Sequence, residues 1–184
     1  MRVISGTAKG TKLNSIEELT TRPTLDRVKE SLFNILQDTV RNKIVLDLFA
    51  GSGALGIETL SRGATKAYFC DSNDEAIKFV KQNLEKTKLM QNAVVIRKDY
   101  KTFIETTNER FDLIFIDPPY KNDIAVDSVI RILNNKLLKE NALIILETDE
   151  VKRELYELSK IDNIEIIDQR KYGRANLLFI KEIN

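Results

Sequence analysis

The chain has 184 residues, 42% of them hydrophobic and 31% charged, with 29 Lys and Arg set against 28 Asp and Glu. That is the length of one domain and the composition of a globular protein with a sizeable core, neither disordered nor fibrous. A single cysteine permits no internal disulfide and the lack of histidine removes the common zinc sites and every histidine triad, so no metal is expected and chemistry falls to carboxylates, backbone and aromatic rings.

The uncharged stretch Leu48 to Ile57 is interrupted by Gly51, Gly53 and Gly56 and falls far short of the ~20 residues of a membrane helix. The opening Met1-Arg2-Val3-Ile4-Ser5-Gly6 lacks the apolar block of a secretory signal, so a cytoplasmic protein off the membrane is expected. Residues 1 to 13 carry Arg2, Lys9 and Lys12 without an acidic side chain. Such a strip suits a polyanion, and equally a solvated face. Arg2 to Ser5 and Thr11 to Leu13, flanking Gly6 and Gly10, predict a short hairpin with a basic loop. Thr21-Arg22-Pro23-Thr24 then leads into a helix from Leu25 to Asp38, with Leu25, Val28, Leu32, Ile35 and Leu36 on one face and Thr24 as N-cap.

From residue 44 onward apolar β-branched runs alternate with amphipathic segments, the signature of βαβ units around a buried parallel sheet. Strands are predicted at Ile44–Phe49, Ala67–Cys70, Ala93–Arg97, Leu113–Ile116, Ala142–Glu147, Ile164–Gln169 and Asn176–Lys181. Helical spacing appears in Asp74–Lys86 and Ile124–Leu133. The expected class is therefore α/β, a Rossmann-like single domain with residues 1–43 as an N-terminal extension and 44–184 as the core.

After the first core strand comes Asp47-Leu48-Phe49-Ala50-Gly51-Ser52-Gly53-Ala54-Leu55-Gly56, a Gly-x-Gly-x-x-Gly turn opening a helix, with Asp71 at the next strand end. This is where nucleotide cofactors bind, the second carboxylate accepting ribose hydroxyls. Both NAD and S-adenosylmethionine meet that description. Asp47 separates them: a carboxylate ~5 Å from a pyrophosphate opposes each charge by roughly 3 kcal/mol at an effective dielectric near 20, whereas it attracts an ammonium or sulfonium. Asp47, Gly51, Ser52, Gly53 and Asp71 are thus candidate S-adenosylmethionine contacts. Asp99, after the third strand, and the neighbouring Tyr100 stand at the same edge, where they could meet an adenine, although an aspartate there also suits a helix cap. Cys70, inside a strand beside Asp71, reads as packing rather than as a nucleophile.

Asp117-Pro118-Pro119-Tyr120 follows the strand Leu113–Ile116. The prolines fix their φ angles and lack N–H groups, which stiffens the loop and can aim the Pro118 carbonyl at a ligand. Asp117 and that carbonyl can accept both hydrogens of a nucleobase NH₂, localising its lone pair, while Tyr120 stacks on the extruded base.

These residues resemble the class I S-adenosylmethionine-dependent methyltransferases, and more narrowly the RsmD family of bacterial 16S ribosomal RNA guanine-N2 methyltransferases. Carrying the likeness nearly end to end are Met1 to Gly6, Thr21-Arg22-Pro23-Thr24-Leu25-Asp26-Arg27-Val28-Lys29-Glu30, the glycine loop, Asp117 to Tyr120, and Tyr172-Gly173 before the last strand. The resemblance implies a seven-stranded sheet with an antiparallel last strand, and an N-terminal hairpin that helps engage RNA, with Arg2, Lys9 and Lys12 as candidate contacts; for Arg22, ahead of the helix, the cofactor carboxylate, an RNA phosphate and an acidic side chain are the alternative partners. It also implies methylation of one guanine amine, guanine 966 of 16S ribosomal RNA, in free RNA or in an assembling small subunit. By the same resemblance Asp47, Gly51, Ser52 and Gly53 contact the methionine part of the cofactor, Asp71 its ribose and Asp99 its adenine; Asp117, Pro118 and Tyr120 take the base. Adenine-N6 methylation of DNA shares the tetrapeptide, and a dinucleotide oxidoreductase shares the glycine spacing; these are the rival readings, together with a binding module without turnover.

Overall fold

The computed structural model describes residues 1–15, 23–119 and 123–183. Arg22 and Tyr120 lie outside them, as does the Thr24 side chain.

The first 15 residues form the short hairpin expected, paired over little more than one bridge. One antiparallel bridge joins Arg2 to Lys12, with Val3 N–H donating to Thr11 O at 3.0 Å and Leu13 N–H to Met1 O at 2.9 Å. The ladder stops because neighbouring amides are claimed elsewhere. Ile4 and Ser5 N–H donate to the Glu58 carboxylate at 2.8 and 3.0 Å, and Thr7 N–H donates to Ser61 O at 2.8 Å. The segment is therefore fastened to a helix as well as to itself.

Helix α1 (Pro23–Leu36) starts and ends two residues earlier than its periodicity suggests. Gln37, at φ 43°, leaves the right-handed region, and Gln37–Val40 continues as a 3₁₀ turn. Then follow β1 (Ile44–Asp47), α2 (Ala54–Ser61), β2 (Lys66–Asp71), α3 (Asp74–Thr87), β3 (Ala93–Arg97), α4 (Tyr100–Thr106), β4 (Phe111–Ile116), α5 (Ile124–Asn134), β5 (Leu138–Thr148), α6 (Val151–Leu158), β6 (Ile164–Tyr172) and β7 (Ala175–Glu182). β1 is two residues shorter than predicted, since the chain turns into the glycine loop at Leu48. β5 is longer, because Leu138 pairs with Phe111 before an irregularity moves the register to Leu143 opposite Leu113.

The strands form one sheet in the order β3-β2-β1-β4-β5-β7-β6. β1 to β5 pair in parallel, and β7 runs antiparallel to both β5 and β6. Strand alternation splits the core in two. Val45, Phe69, Phe115, Ile145 and Leu177 face the layer of α1, α2 and α3 with Val3 and Leu13, while Leu46, Cys70, Ile114, Leu146 and Leu178 face α4, α5 and α6. Burying each large side chain stabilises the fold by about 1.5–3 kcal/mol, and both faces are covered, as a parallel sheet requires.

Candidate functional site

Strand order reverses beside β1: β2 and β3 extend to one side, β4 and β5 to the other. Loops leaving the carboxyl ends of β1 and β4 therefore diverge, and in open α/β sheets the crevice between them is where ligands bind. A cavity of about 150 Å³ lies there, its wall including Phe49, Gly51, Ser52, Asp47, Asp117 and Glu147. Met1, Lys29 and Leu32 close it from the other side, so the N-terminal segment and α1 complete a pocket that the sheet begins.

The floor of this pocket is a preformed loop. Gly53 takes φ 78° to swing the chain into α2, a conformation open to glycine at little cost. Gly56 serves a different need, since a Cβ there would stand 2.3 Å from Phe69 Cε1; its absence lets α2 press onto β2. The loop is tied at several points. Gly51 N–H donates to Asp71 Oδ2 at 2.9 Å, and Asn73 N–H to Asp71 Oδ1 at 2.9 Å. Ala50 N–H donates to Cys70 O at 3.0 Å. Asp71 thus braces the loop from β2, and its remaining lone pairs are what it offers a ligand.

Asp47 is 2% exposed, and its Oδ2 accepts the Gly56 N–H at 3.0 Å. Burial lifts this carboxyl to about 7 against the lowering by that amide, and the Asp71 charge adds to the rise. Asp117 is pushed well above the usual carboxylate range by burial, then by the charges of Glu147 and Asp47. Burial raises Glu147 as well. Three carboxyls on one wall, each resisting ionisation, suit a ligand that brings positive charge or hydrogen-bond donors and oppose a pyrophosphate.

Asp99 and Tyr100 do not line the pocket. Asp99 is exposed and N-caps α4, accepting the Thr102 N–H at 3.0 Å and the Thr102 hydroxyl, which hold its carboxyl below the usual range. Tyr100 directs its hydroxyl to Asp127 Oδ2 at 2.8 Å and packs its ring 5.4 Å from that of Phe49. They flank the site through Phe49. Pro118, next after Asp117, is partly buried. Arg2 and Lys9 share a shallow concavity with Glu30, and Lys12 is exposed beside them. Cys70 is buried, and burial followed by the charges of Asp71, Asp99 and Asp47 pushes its thiol up to about 12. No nucleophile resides there.

Four residues of the site were not singled out from sequence: Phe49, Lys29, Asn83 and Glu147. Lys29 is 3% exposed and donates to Arg2 O at 2.6 Å, with Glu58 Oε2 3.4 Å away. Asn83 is wholly buried on α3; it donates to Asn14 O and to Ser52 O, both at 2.9 Å, and accepts the Asn14 N–H at 2.7 Å. It joins the N-terminal segment to the glycine loop. Its signal was a polar side chain on the apolar stripe of Ala76, Ile77, Val80 and Leu84. Among the described residues no group of three or more His, Cys, Asp or Glu is arranged to hold a metal, and no helix is long and apolar enough to cross a membrane.

The pocket and fold have counterparts. The chain is 37% identical to YlbH of Bacillus subtilis, over 99% of both chains. It is 38% identical to ribosomal RNA small subunit methyltransferase D of Haemophilus influenzae, over 83% of this chain and 80% of that one. The solved structure of yhhF from Escherichia coli superposes with a TM-score of 0.84 at 26% identity, covering 100% of this chain and 98% of the other. Residues 1–181 match the family described as Conserved hypothetical protein 95; the chain belongs to that family, the RsmD family.

Proposed function

We propose that this protein transfers a methyl group from S-adenosylmethionine to the exocyclic N2 amine of a guanine in 16S ribosomal RNA. The observation that carries the reading is the row of Asp47, Asp117 and Glu147 in one cavity beside a rigid glycine loop. The name of the Haemophilus influenzae relative, a ribosomal RNA small subunit methyltransferase, supports the substrate class. The family's guanine at position 966 is the proposed target, reached in the cytoplasm in free RNA or in an assembling small subunit.

The cofactor supplies an electrophilic methyl on a sulfonium. Asp47 holds the positive charge of the methionine part, with Gly51, Ser52 and Gly53 as the surface under it, and Asp71 receives ribose hydroxyls. Asp117 and the Pro118 carbonyl accept the amine hydrogens, keeping the nitrogen lone pair out of the ring. Tyr120 stacks on the base, and Arg2, Lys9, Lys12 and Arg22 meet phosphates. No strong base is needed, since catalysis here is mainly orientation and Asp117 stands ready for the proton the amine sheds.

Labelled S-adenosylmethionine incubated with undermethylated small subunits, free 16S RNA and DNA tests the proposal. Label in N2-methylguanine of RNA is the expected result. Label in N6-methyladenine, or none in RNA, would overturn it. Asp117→Ala should lower the rate about 100-fold or more while cofactor affinity holds, as befits loss of an interaction at the reacting amine.

A further inference from the structure

Glu147 has no place in the chemistry so far. Register puts it beside Asp117: Ile116 pairs with Leu146 across β4 and β5, so the next residues of the two strands are neighbours, on strands ~4.8 Å apart. Alternation puts both on the face of Phe115 and Ile145, under α1. Both line the cavity. Among the described residues neither side chain accepts a hydrogen bond or joins an ion pair, although Asp112, Asp127 and Glu58 elsewhere each have donors.

Two adjacent half-buried carboxyls without donors cost stability, which makes them suited to a ligand that brings donors. The loops after β1 and β2 carry the glycine turn and Asp71, so the cofactor's part of the crevice lies on that side, leaving the β4–β5 side to the base. Guanine presents adjacent donors there, N1–H and the N2 amine. Adenine and 2-aminopurine present an N1 lone pair, which a carboxylate repels.

We propose that Glu147 is the specificity-determining residue, its carboxylate accepting the N1–H of the target guanine while Asp117 accepts a hydrogen of the N2 amine. This rests on the guanine-N2 reading above and adds what selects the base.

The test compares wild type with Glu147→Gln on RNA carrying guanine or 2-aminopurine at the target position. 2-Aminopurine keeps the C2 amine and lacks the N1 hydrogen. Wild type should favour guanine by about 10- to 100-fold in kcat/KM, the worth of a hydrogen bond to a charged group. In Glu147→Gln the gap should shrink several-fold or more, because the amide can donate to the bare N1; comparing the two enzymes cancels the missing O6. Cofactor affinity should be unchanged, and thermal stability should hold or rise, whereas a merely structural glutamate would destabilise the protein on removal. An unchanged preference for guanine in Glu147→Gln, or a parallel loss of cofactor binding, overturns the proposal. Wild type methylating both bases equally would also overturn it while leaving the guanine-N2 reading standing. Wild type that methylates no guanine amine defeats the reading itself, and the proposal with it.

Discussion

Replacing Asp47 by Asn should stabilise the ligand-free protein while weakening its hold on the cofactor. Burial raises the Asp47 carboxyl from 3.8 to about 7, and each unit is worth about 1.4 kcal/mol, so ionising this group in the folded state costs about 4 kcal/mol. The folded state binds the proton more tightly than the unfolded chain; stability is therefore complete below pH 3.8 and is lost as pH rises towards 7. The amide introduced by Asp47→Asn would still accept the Gly56 N–H without titrating. For a chain of this size about 1 kcal/mol corresponds to ~2–4 °C, so the variant should melt on the order of 10 °C higher at pH 8 and differ by less than half as much at pH 5. Asp117 and Glu147, also raised, should leave a smaller slope of the same sign in the variant. The assay is thermal unfolding from pH 5 to 9 with and without S-adenosylmethionine. Added cofactor should restore wild type at pH 8 and shift the variant far less, through a loss of about 10- to 100-fold in affinity. A ligand-free wild type whose melting temperature is flat over this range, or an Asn variant no more stable at pH 8, would refute the reasoning.

Glu58→Gln should lower unfolding free energy by about 3–5 kcal/mol, read by denaturant titration, because a carboxylate 0% exposed then deserts Arg62 at 2.8 Å and Lys29 at 3.4 Å. Gly56→Ala should cost about 1–3 kcal/mol by overpacking, since the new methyl meets the buried Phe69 ring; an unchanged denaturation midpoint would contradict the close approach. Lys9→Glu with Lys12→Glu should weaken RNA binding and lower the slope of log affinity against log salt by about 1 for each phosphate the lysines no longer neutralise, with cofactor affinity as the control.

The parallel core was legible because its strands are buried on both faces and read as apolar runs, and the glycine loop because its conformations leave a mark in residue type. The short hairpin at the N-terminus was legible but its extent was not, because local pattern shows which segments can pair with each other but not that Glu58, more than fifty residues away, claims the neighbouring amides. Helix α6 escaped notice for a related reason: of its eight residues only Leu158 is fully buried, too thin a stripe to register as periodicity. Asp99 shows how one residue type serves two uses. Its position at a strand end predicted a ligand contact, while capping α4 takes up the hydrogen bonds it accepts from the protein. Glu147 was hidden because adjacency across β4 and β5 depends on a register that shifts between Phe111 and Leu113.

The braced turn between β1 and α2 bears on the order of events. With Gly51 held by Asp71, Ala50 by Cys70 and Ser52 by Asn83, this stretch needs little rearrangement to admit a small molecule, so the entropic toll of association stays low. Filling the pocket ahead of any macromolecule is then kinetically easy. The spent product keeps its ammonium and loses only the charge on sulfur, so the pull of the acidic wall on it weakens without vanishing.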